Sequence, residues 1–453
     1  MPRRGEGAAG VTAADFAAAL TPLLAGERPD HLAVAVSGGA DSLALALLAQ
    51  HWAQKRGASL TAFIVDHRLR ADSTKEAKQV ARWLKAAGIA ARVLAWQHDG
   101  KPAGSLQAAA RAARYALLAQ ACARAGIGHL LLAHHRDDQA ETLLLRCLRG
   151  SGVDGLAAMQ PSRVMDDGLA LLRPLLDIPK ARLVATLQKR RQPWIEDPSN
   201  ADPAHARVRV RRALDDLAGG DPAARSELVA HLAQTARNLA RAKAALAAAA
   251  YDVLRAAVTV TPAGIAWLDP RPIAAAPDEV GLRALARLLG AIGGQPLPPR
   301  LDRLERLLGQ LRSPQAFTAQ TLHRCRLLPQ KERRARDRRT GEATAAPPPL
   351  LLVVCREARH LPAPQPLVPG ATILWDGRFR IVLTRRAPAG LQVAALGNAR
   401  LPVRPLPAAA PAATRAGLPA ILGGDGGLLA VPGLGWGDLP QGVTVTFAPP
   451  PLA

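Results

Sequence analysis

Cysteines and aromatic residues are scarce in this chain. The four cysteines, Cys122, Cys147, Cys325 and Cys355, are widely separated and form no Cys-x-x-Cys pair. This spacing argues against a zinc site, an iron–sulfur cluster and a disulfide framework, so we expect small buried apolar side chains. Aromatic residues make up only 3% of the sequence, which argues against a platform of many stacked rings for single-stranded RNA.

Long hydrophobic runs are also missing. No stretch of roughly eighteen uninterrupted apolar residues, the length that spans a bilayer, occurs in the sequence. Arg3 and Arg4 lie near the N-terminus, but no apolar segment follows them. The sequence therefore supports neither a membrane partner nor export, and we expect a cytoplasmic protein.

Basic residues are in large excess. Lys and Arg total 59 against 36 Asp and Glu, which gives a net charge of +23. This excess is larger than solubility requires and indicates a polyanionic partner, with contacts to a folded RNA backbone as the best fit. At 453 residues, the chain is long enough for two or three domains.

The six residues Ser37–Ser42, Ser-Gly-Gly-Ala-Asp-Ser, lie between the apolar runs His31–Val36 and Leu43–Leu48. This order predicts a strand, a tight turn and a helix, in which glycines admit a phosphate and helix amides and serine hydroxyls bind it. Neither Gly-Lys-Ser/Thr nor a third spaced glycine follows, which argues against a Walker loop and a dinucleotide fold. Asp41 would repel phosphate unless it binds Mg²⁺ or orients a positive group, so it indicates metal-bridged triphosphate chemistry. An ordinary glycine turn is the alternative.

Apolar strand-like runs alternate with helical patterns from about residue 31 to residue 198. The alternation predicts an α/β domain with a parallel sheet and a site at the carboxyl ends of its strands. Ala224–Leu254 and the leucines after Leu301 have helical periodicity, and a charged run at 331–339 and a Pro-rich run at 345–349 precede β-like segments. The sequence thus predicts a catalytic domain at 1–215, a helical domain at 216–345 and a small β-rich C-terminal domain at 346–453.

A second polar cluster, His134–Thr142, directly follows an apolar strand-like run. If a helix begins near Asp137, then His134, Asp138 and Glu141 lie along one edge of it, and Asp137 occupies its electropositive start. Such a cluster can bind Mg²⁺ or a substrate ammonium. The alternative is an N-capped helix whose acidic residues only interact with the helix dipole. A zinc site is less favoured because the cysteines are remote in sequence.

Two further segments carry weaker signals. Val65–Arg70 follows the second predicted strand, where an adenine or ribose contact would lie beside the phosphate loop. Arg111 and Arg114 are three residues apart and can present paired guanidinium groups to phosphate. A charged loop and a solvated helix face are the respective alternatives.

The Ser37–Ser42 loop resembles the signature of the ATP pyrophosphatases, which split ATP between its α and β phosphates. Together with Val65–Arg70, Ala110–Tyr115 and His134–Thr142, it occurs in the order and approximate spacing of tRNA(Ile)-lysidine synthetases. Further similar segments are Arg173–Leu176, Glu196–Asn200, Thr321–Cys325 and Trp375–Phe379. The likeness covers most of the chain and is strongest up to about residue 215.

The resemblance implies that ATP adenylates the C2 oxygen of the wobble cytidine in the CAU anticodon of tRNA(Ile), and that the ε-amine of free L-lysine then displaces AMP. It implies ATP and Mg²⁺ as cofactors and leaves open whether the chain is a homodimer. It assigns ATP to Ser37, Gly38, Gly39, Ala40, Asp41, Ser42, Val65 and His67, with Asp41 and Asp138 as metal ligands. It assigns catalysis to Asp41, Arg114, His134, Asp137, Asp138 and Glu141, and tRNA phosphates to Arg207, Arg209, Arg211 and Arg212.

Three rival functions fit less well. A tRNA thiolase also adenylates a base, but it needs reactive cysteines, and this chain has no paired ones. An amide-forming synthetase for small molecules leaves the net charge of +23 unexplained. A non-catalytic RNA-binding protein would need a broken phosphate loop or histidine–acid cluster, and both are intact.

Overall fold

The computed structural model describes residues 8–69, 72–98, 106–165, 168–196, 202, 204–313, 317–330, 351–397 and 412–449. Its contacts form two compact units, Met1–Lys243 and Ala244–Ala453. The charged run at 331–339, the Pro-rich run at 345–349, Arg70 and residues 197–200 of the family-like segment lie outside the described residues. None of the helices in the described ranges is long and apolar enough to cross a membrane.

A six-stranded sheet forms the centre of the first unit. Its strands are β1 (His31–Ala35), β2 (Ser59–Asp66), β3 (Ala90–Ala95), β4 (His129–Leu131), β5 (Ser162–Val164) and β6 (Ala170–Leu172). They lie in the order β3-β2-β1-β4-β6-β5, and all neighbours are parallel except β5 and β6. The chain adds β2 and β3 on one side of β1 and then crosses to the other side, where it adds β4. This change of direction leaves a crevice at the carboxyl ends of β1 and β4 that is suited to a ligand.

Helices cover both faces of this sheet. They are α1 (Ala13–Leu20), α2 (Ala40–Gln54), α3 (Ser73–Ala86), α4 (Leu106–Arg124), α5 (Arg136–Cys147), α6 (Val153–Leu156), α7 (Lys180–Lys189), α8 (Ala206–Leu217) and α9 (Pro222–Ala257), which continues into the second unit. Alternate residues of β1 enter different cores: Leu32 and Val34 pack with α2, while Ala33 and Ala35 pack with Leu118 of α4. This two-sided burial explains why β1 is apolar throughout.

The second unit begins with a sheet that crosses a predicted domain boundary. Its strands are β7 (Val258–Val260), β8 (Ala266–Leu268), β9 (Gln320–Leu322), β10 (Cys325–Gln330) and β11 (Leu351–Arg356), in the antiparallel order β7-β8-β11-β10-β9. It is accompanied by α10 (Pro270–Ala275), α11 (Asp278–Gly293) and α12 (Leu301–Arg312). The predicted boundary at 345/346 falls between β10 and β11, which are paired with each other. Composition alone does not reveal a pairing across a Pro-rich run.

Two smaller antiparallel sheets complete the second unit. Their strands are β12 (Gln365–Pro366), β13 (Thr372–Trp375), β14 (Phe379–Leu383), β15 (Gln392–Ala395), β16 (Pro419–Leu422), β17 (Leu428–Val431), β18 (Trp436–Gly437) and β19 (Val443–Phe447). One sheet has the order β12-β15-β16-β17-β18 and the other β13-β14-β19. The predicted fold class is confirmed: a parallel nucleotide-binding sheet is followed by a helical region and a β-rich C-terminal part.

Candidate active site

The phosphate loop connects β1 to α2, as predicted. Gly38 has a φ of +93°, and a Cβ atom there would lie 2.7 Å from Val80 Cγ2, so only glycine fits. Gly39 is the N-cap of α2, and Ala40 is the first helical residue. The unpaired amides of this helix start favour an anion. The backbone N–H of Ile195 donates to Gly38 O at 2.9 Å and fixes the loop from outside.

The two serines of the loop bond to each other. Ser42 Oγ accepts a hydrogen bond from Ser37 N at 3.2 Å and donates to Gly39 O at 2.9 Å, while the two hydroxyl oxygens are 3.2 Å apart. Ser42 is buried, whereas Ser37 lines a cavity. Ser42 therefore shapes the loop from within, and Ser37 is the hydroxyl that a ligand meets.

Asp41 links the phosphate loop to the second polar cluster. Its Oδ2 lies 3.4 Å from His135 Nε2, while its Oδ1 is buried and has no hydrogen-bond partner among the described residues. Burial alone would raise the pKa of Asp41, but the hydrogen bond and charge of His135, with Lys180 and Arg211, hold it below its usual range. The site thus contains an ionised carboxylate with one unused oxygen beside an anion-binding loop.

The second cluster is arranged differently from the prediction. Helix α5 begins at Arg136 with His135 as its N-cap, so His134 precedes the helix, and the predicted edge shared by His134, Asp138 and Glu141 is wrong. The cap residue His135 has an extended backbone, so the residue before it does not share a helix face with residues of α5. The order of residue types alone did not fix which of two adjacent histidines caps the helix.

His135, absent from the predicted site residues, occupies the centre of the cluster. It is only 3% exposed, and its Nε2 lies 3.4 Å from Asp41 Oδ2 and 3.5 Å from Asp138 Oδ2. Its Nδ1 lies 3.7 Å from Asp137 Oδ2. Burial alone would lower the pKa of His135, but Asp138, Asp41 and Asp137 outweigh it and raise this pKa. The His135 ring therefore lies between three carboxylates.

The two adjacent acids of α5 share His135 and differ in their other partners. Asp138 Oδ2 accepts from His135 N at 3.1 Å, and its Oδ1 lies 3.6 Å from Arg207 Nη1. Asp137 accepts from the backbone N–H of Lys180 at 3.1 Å and from Arg225 Nη1 at 3.2 Å. Burial would raise the pKa of Asp137, but His135, Lys180 and Arg225 hold it below its usual range. Lys180 and Arg225 were not predicted, since no local pattern marks a residue that arrives from α7 or α9.

Glu141 and Arg211 form a bidentate ion pair. Arg211 Nε and Nη2 lie 2.5 and 3.2 Å from the two oxygens of Glu141, which is only 1% exposed. Burial and the nearby charge of Asp138 raise the pKa of Glu141, and Arg211 opposes this effect without cancelling it. Of the arginines predicted to bind RNA, Arg211 and Arg207 thus face acids of α5, whereas Arg209 and Arg212 are exposed.

His134 is half-buried, and its Nδ1 has no hydrogen-bond partner in the described part of the chain. Burial, with the nearby charges of Arg173, Arg114 and Arg207, lowers the pKa of His134 to about 4 against the opposing effect of Asp138. The imidazole is therefore neutral at physiological pH.

Two cavities open at this crevice. One, of about 480 Å³, is lined by Ser37, Val65, Asp66, His67 and Arg114, among others. The other has a volume of about 620 Å³ and a wall of mixed character. Its polar residues are His135, Arg136, Asp137, Glu141, Lys180, Gln188, Arg211, Asp215, Arg225 and Ser226. Arg114 thus lines the first cavity, whereas Arg111 lies over the ring of Tyr115, 5.3 Å from its centroid.

Asp66 and His67 shape the smaller cavity. The carboxylate of Asp66 accepts from Ser73 Oγ at 2.8 Å, Thr74 Oγ1 at 2.6 Å and Arg68 N at 3.0 Å, and so fixes the loop after β2. His67 Nδ1 is buried without a partner among the described residues. Burial, with Arg114, lowers the pKa of His67, so a neutral imidazole faces the cavity. Asp66 was not predicted as a site residue, because no local pattern links the end of β2 to the hydroxyls of Ser73 and Thr74 on α3.

The residues present fit a magnesium ion held jointly with a substrate. In the described residues, no group of three or more His, Cys, Asp and Glu side chains is arranged to hold a metal alone. Mg²⁺ is commonly bound by one or two carboxylates plus substrate phosphates and water, and the unused Oδ1 of Asp41 supplies one such ligand. Asp138, the other predicted ligand, already caps α5.

Comparisons with known proteins show the family of this chain. The family model of the PP-loop domain matches residues 12–217. The tRNA(Ile)-lysidine synthase of Bradyrhizobium diazoefficiens is 46% identical over 291 residues, covering 62% of this chain and 78% of the relative. That of Ruegeria pomeroyi is 36% identical over 396 residues, covering 87% and 86%. The predicted resemblance is thus confirmed, and the chain belongs to the tRNA(Ile)-lysidine synthase family.

Proposed function

We propose that this chain is an ATP-dependent ligase that forms a carbon–nitrogen bond between L-lysine and the wobble cytidine of the CAU anticodon of tRNA(Ile). The reaction releases AMP and pyrophosphate and changes the codon that is read from AUG to AUA. The observation that carries this proposal is the position of Asp41. It belongs to the phosphate loop, whose Ser37 lines one cavity, and it contacts His135, which lines the other.

ATP occupies the phosphate loop and the cavity of about 480 Å³. The amides at the start of α2 and Ser37 bind phosphate oxygens, and His67 Nδ1 bonds to the nucleoside. Asp41 Oδ1 would hold Mg²⁺, which would supply positive charge to the leaving pyrophosphate. Arg114, on the cavity wall, stabilises the charge that develops on the α phosphate.

Lysine binds in the cavity of about 620 Å³, whose walls carry both acids and bases. The carboxylates of this wall can bind the amino groups of the substrate lysine, and the side chain of Lys180 or Arg225 can bind its carboxylate. The ε-ammonium loses a proton before its nitrogen attacks C2 of the adenylated cytidine, and the C2–O bond then breaks as AMP leaves. We assign this proton to Glu141, because Glu141 lines the cavity and burial raises its pKa, whereas the pKa of Asp137 is lowered.

Exposed Arg209 and Arg212 on α8 neutralise phosphates of the tRNA, so binding weakens with salt. We place the reaction in the cytoplasm, where the tRNA and ATP are found. A homodimer is the oligomeric state to test, by light scattering with and without tRNA.

The test incubates purified protein with radiolabelled lysine, Mg-ATP and unmodified tRNA(Ile) bearing a CAU anticodon. We expect ATP-dependent incorporation of label into RNA that is lost in Asp41→Ala. The matched control is Asp30→Ala, which changes an exposed aspartate just before β1 and leaves incorporation intact. Tight tRNA binding without incorporation in the wild type would overturn the proposal.

A further inference from the structure

Three rings contact one another at the carboxyl ends of β2 and β3. Trp96 directly follows β3, and its backbone N–H donates to Asp66 O at 2.9 Å. Its ring centroid lies 6.0 Å from that of His67 in an edge arrangement and 4.4 Å from that of His98. His98 Nε2 lies 3.2 Å from His67 O, which ties the two loops together. We call His67, Trp96 and His98 the ring cluster.

The ring cluster adjoins the nucleotide cavity without belonging wholly to it. His67 lines that cavity, whereas Trp96 is absent from the described residues of its wall. Phe63, Ile64 and Val65 at the end of β2 line that cavity, and Phe63 and Ile64 are themselves buried in the cores on the two sides of the sheet. Trp96 is nevertheless only half-buried. A tryptophan ring next to, but outside, the nucleotide wall is therefore available to a second base.

Two exposed arginines lie on the segments that carry the ring cluster. Arg68 follows His67, is exposed and has a φ of +54°, with its backbone N–H held by the carboxylate of Asp66. Arg92 on β3 is also exposed. Aromatic rings beside cationic side chains are the combination that binds unpaired RNA, with rings taking the bases and cations the phosphates.

We propose that Trp96 stacks on an unpaired base of the tRNA anticodon loop next to the reacting cytidine. This inference rests on the proposed function. The cytidine must leave the stacked loop to bring its C2 oxygen to the α phosphate of ATP, and its neighbour thereby loses a stacking partner. Trp96 replaces that partner and acts as a positioning residue that holds the loop in register with the nucleotide cavity.

The experiment compares Trp96→Ala with the conservative Trp96→Phe. The control is Tyr251→Ala, which removes an exposed ring of the second unit. The ligands are an anticodon stem–loop RNA with an unmodified CAU anticodon, a fully paired RNA of equal length, and ATP. For Trp96→Ala we expect about 5- to 150-fold weaker stem–loop binding. Affinity for ATP and for paired RNA is unchanged, and Trp96→Phe recovers most of the loss.

Two further readouts separate stacking from a structural role. In the lysine incorporation assay, Trp96→Ala raises the KM for tRNA and largely keeps kcat. Stem–loop RNA quenches tryptophan fluorescence in the wild type more than in Trp96→Phe.

Several results would overturn the inference: equal stem–loop affinity in wild type and Trp96→Ala, an equal loss of ATP affinity, or no difference in quenching. If the wild type incorporates lysine and Trp96→Ala matches its KM, only this inference fails. If the wild type binds RNA but incorporates no lysine, the proposed function fails.

Discussion

The ion pair between Glu141 and Arg211 joins α5 to α8 across the candidate active site, and its removal allows a quantitative test. In Arg211→Met, the volume of the side chain is roughly kept and the charge is lost. Glu141 is only 1% exposed, so its carboxylate then remains buried without its bidentate partner. Breaking a buried pair from one side costs about 3–5 kcal/mol. Because Arg211 itself is 28% exposed, we expect the lower end, about 3 kcal/mol.

The cost of Arg211→Met also depends on pH. Burial already raises the pKa of Glu141, and loss of Arg211 raises it further. A carboxyl group with a raised pKa binds its proton more tightly in the folded state, so the free energy of unfolding falls as pH rises from the unfolded pKa through the folded one. The destabilisation by Arg211→Met is therefore smallest at acid pH, where Glu141 is protonated, and largest near neutral pH and above.

Thermal unfolding followed by circular dichroism at several pH values measures this effect. A cost of about 3 kcal/mol lowers the Tm of a unit of this size by about 6–12 °C. The matched control is Arg212→Met, the exposed neighbour on the same helix, which we expect to change stability by no more than about 1 kcal/mol, the range of an exposed pair. The double variant Glu141→Gln/Arg211→Met should lose less than Arg211→Met alone. Equal costs for Arg211→Met and Arg212→Met, or a cost that does not shrink at acid pH, would refute the reasoning.

Two other predictions concern backbone conformation. Gly38→Ala should abolish ATP binding in calorimetry, because its Cβ would meet Val80 Cγ2 at 2.7 Å, whereas Gly57→Ala, also at positive φ but with open space, should bind ATP normally; normal binding by Gly38→Ala contradicts this. Arg324→Gly should raise the unfolding free energy by about 1 kcal/mol in thermal melts, because Arg324 has a φ of +60° in the turn between β9 and β10, which favours glycine. An unchanged or lower melting temperature would show that the arginine side chain compensates for the backbone cost.

Local signals predicted the sheet and the phosphate loop well. Strands β1 and β2 are buried between helices and end at the crevice, so the apolar run of each strand and the polar residues that follow it are adjacent in sequence. Gly38 has a positive φ and a Val80 contact that exclude a side chain, which is why a glycine there is informative. Where one residue's role depends on its immediate neighbours, the sequence alone is enough.

The remainder of the site depends on contacts between distant segments. Arg211 pairs with Glu141 seventy positions earlier, and Arg225 reaches Asp137 eighty-eight positions away. No helical period or composition marks these partners. The same limit applies to His134 and His135. The order of residue types does not tell which of the two is the N-cap of α5, and only the structure shows that it is His135, which contacts Asp41.

These distant pairs change what the net charge means. The excess of arginine indicates a polyanionic partner, yet Arg207, Arg211 and Arg225 face carboxylates of α5 in the first unit. A guanidinium that is already paired with a buried carboxylate does not neutralise an RNA phosphate, so it displaces no counterion from the RNA. The salt dependence of tRNA affinity should therefore be shallower than the count of basic residues implies. Arg209→Gln should reduce its slope, whereas Arg211→Gln should leave the slope unchanged and act on catalysis and stability.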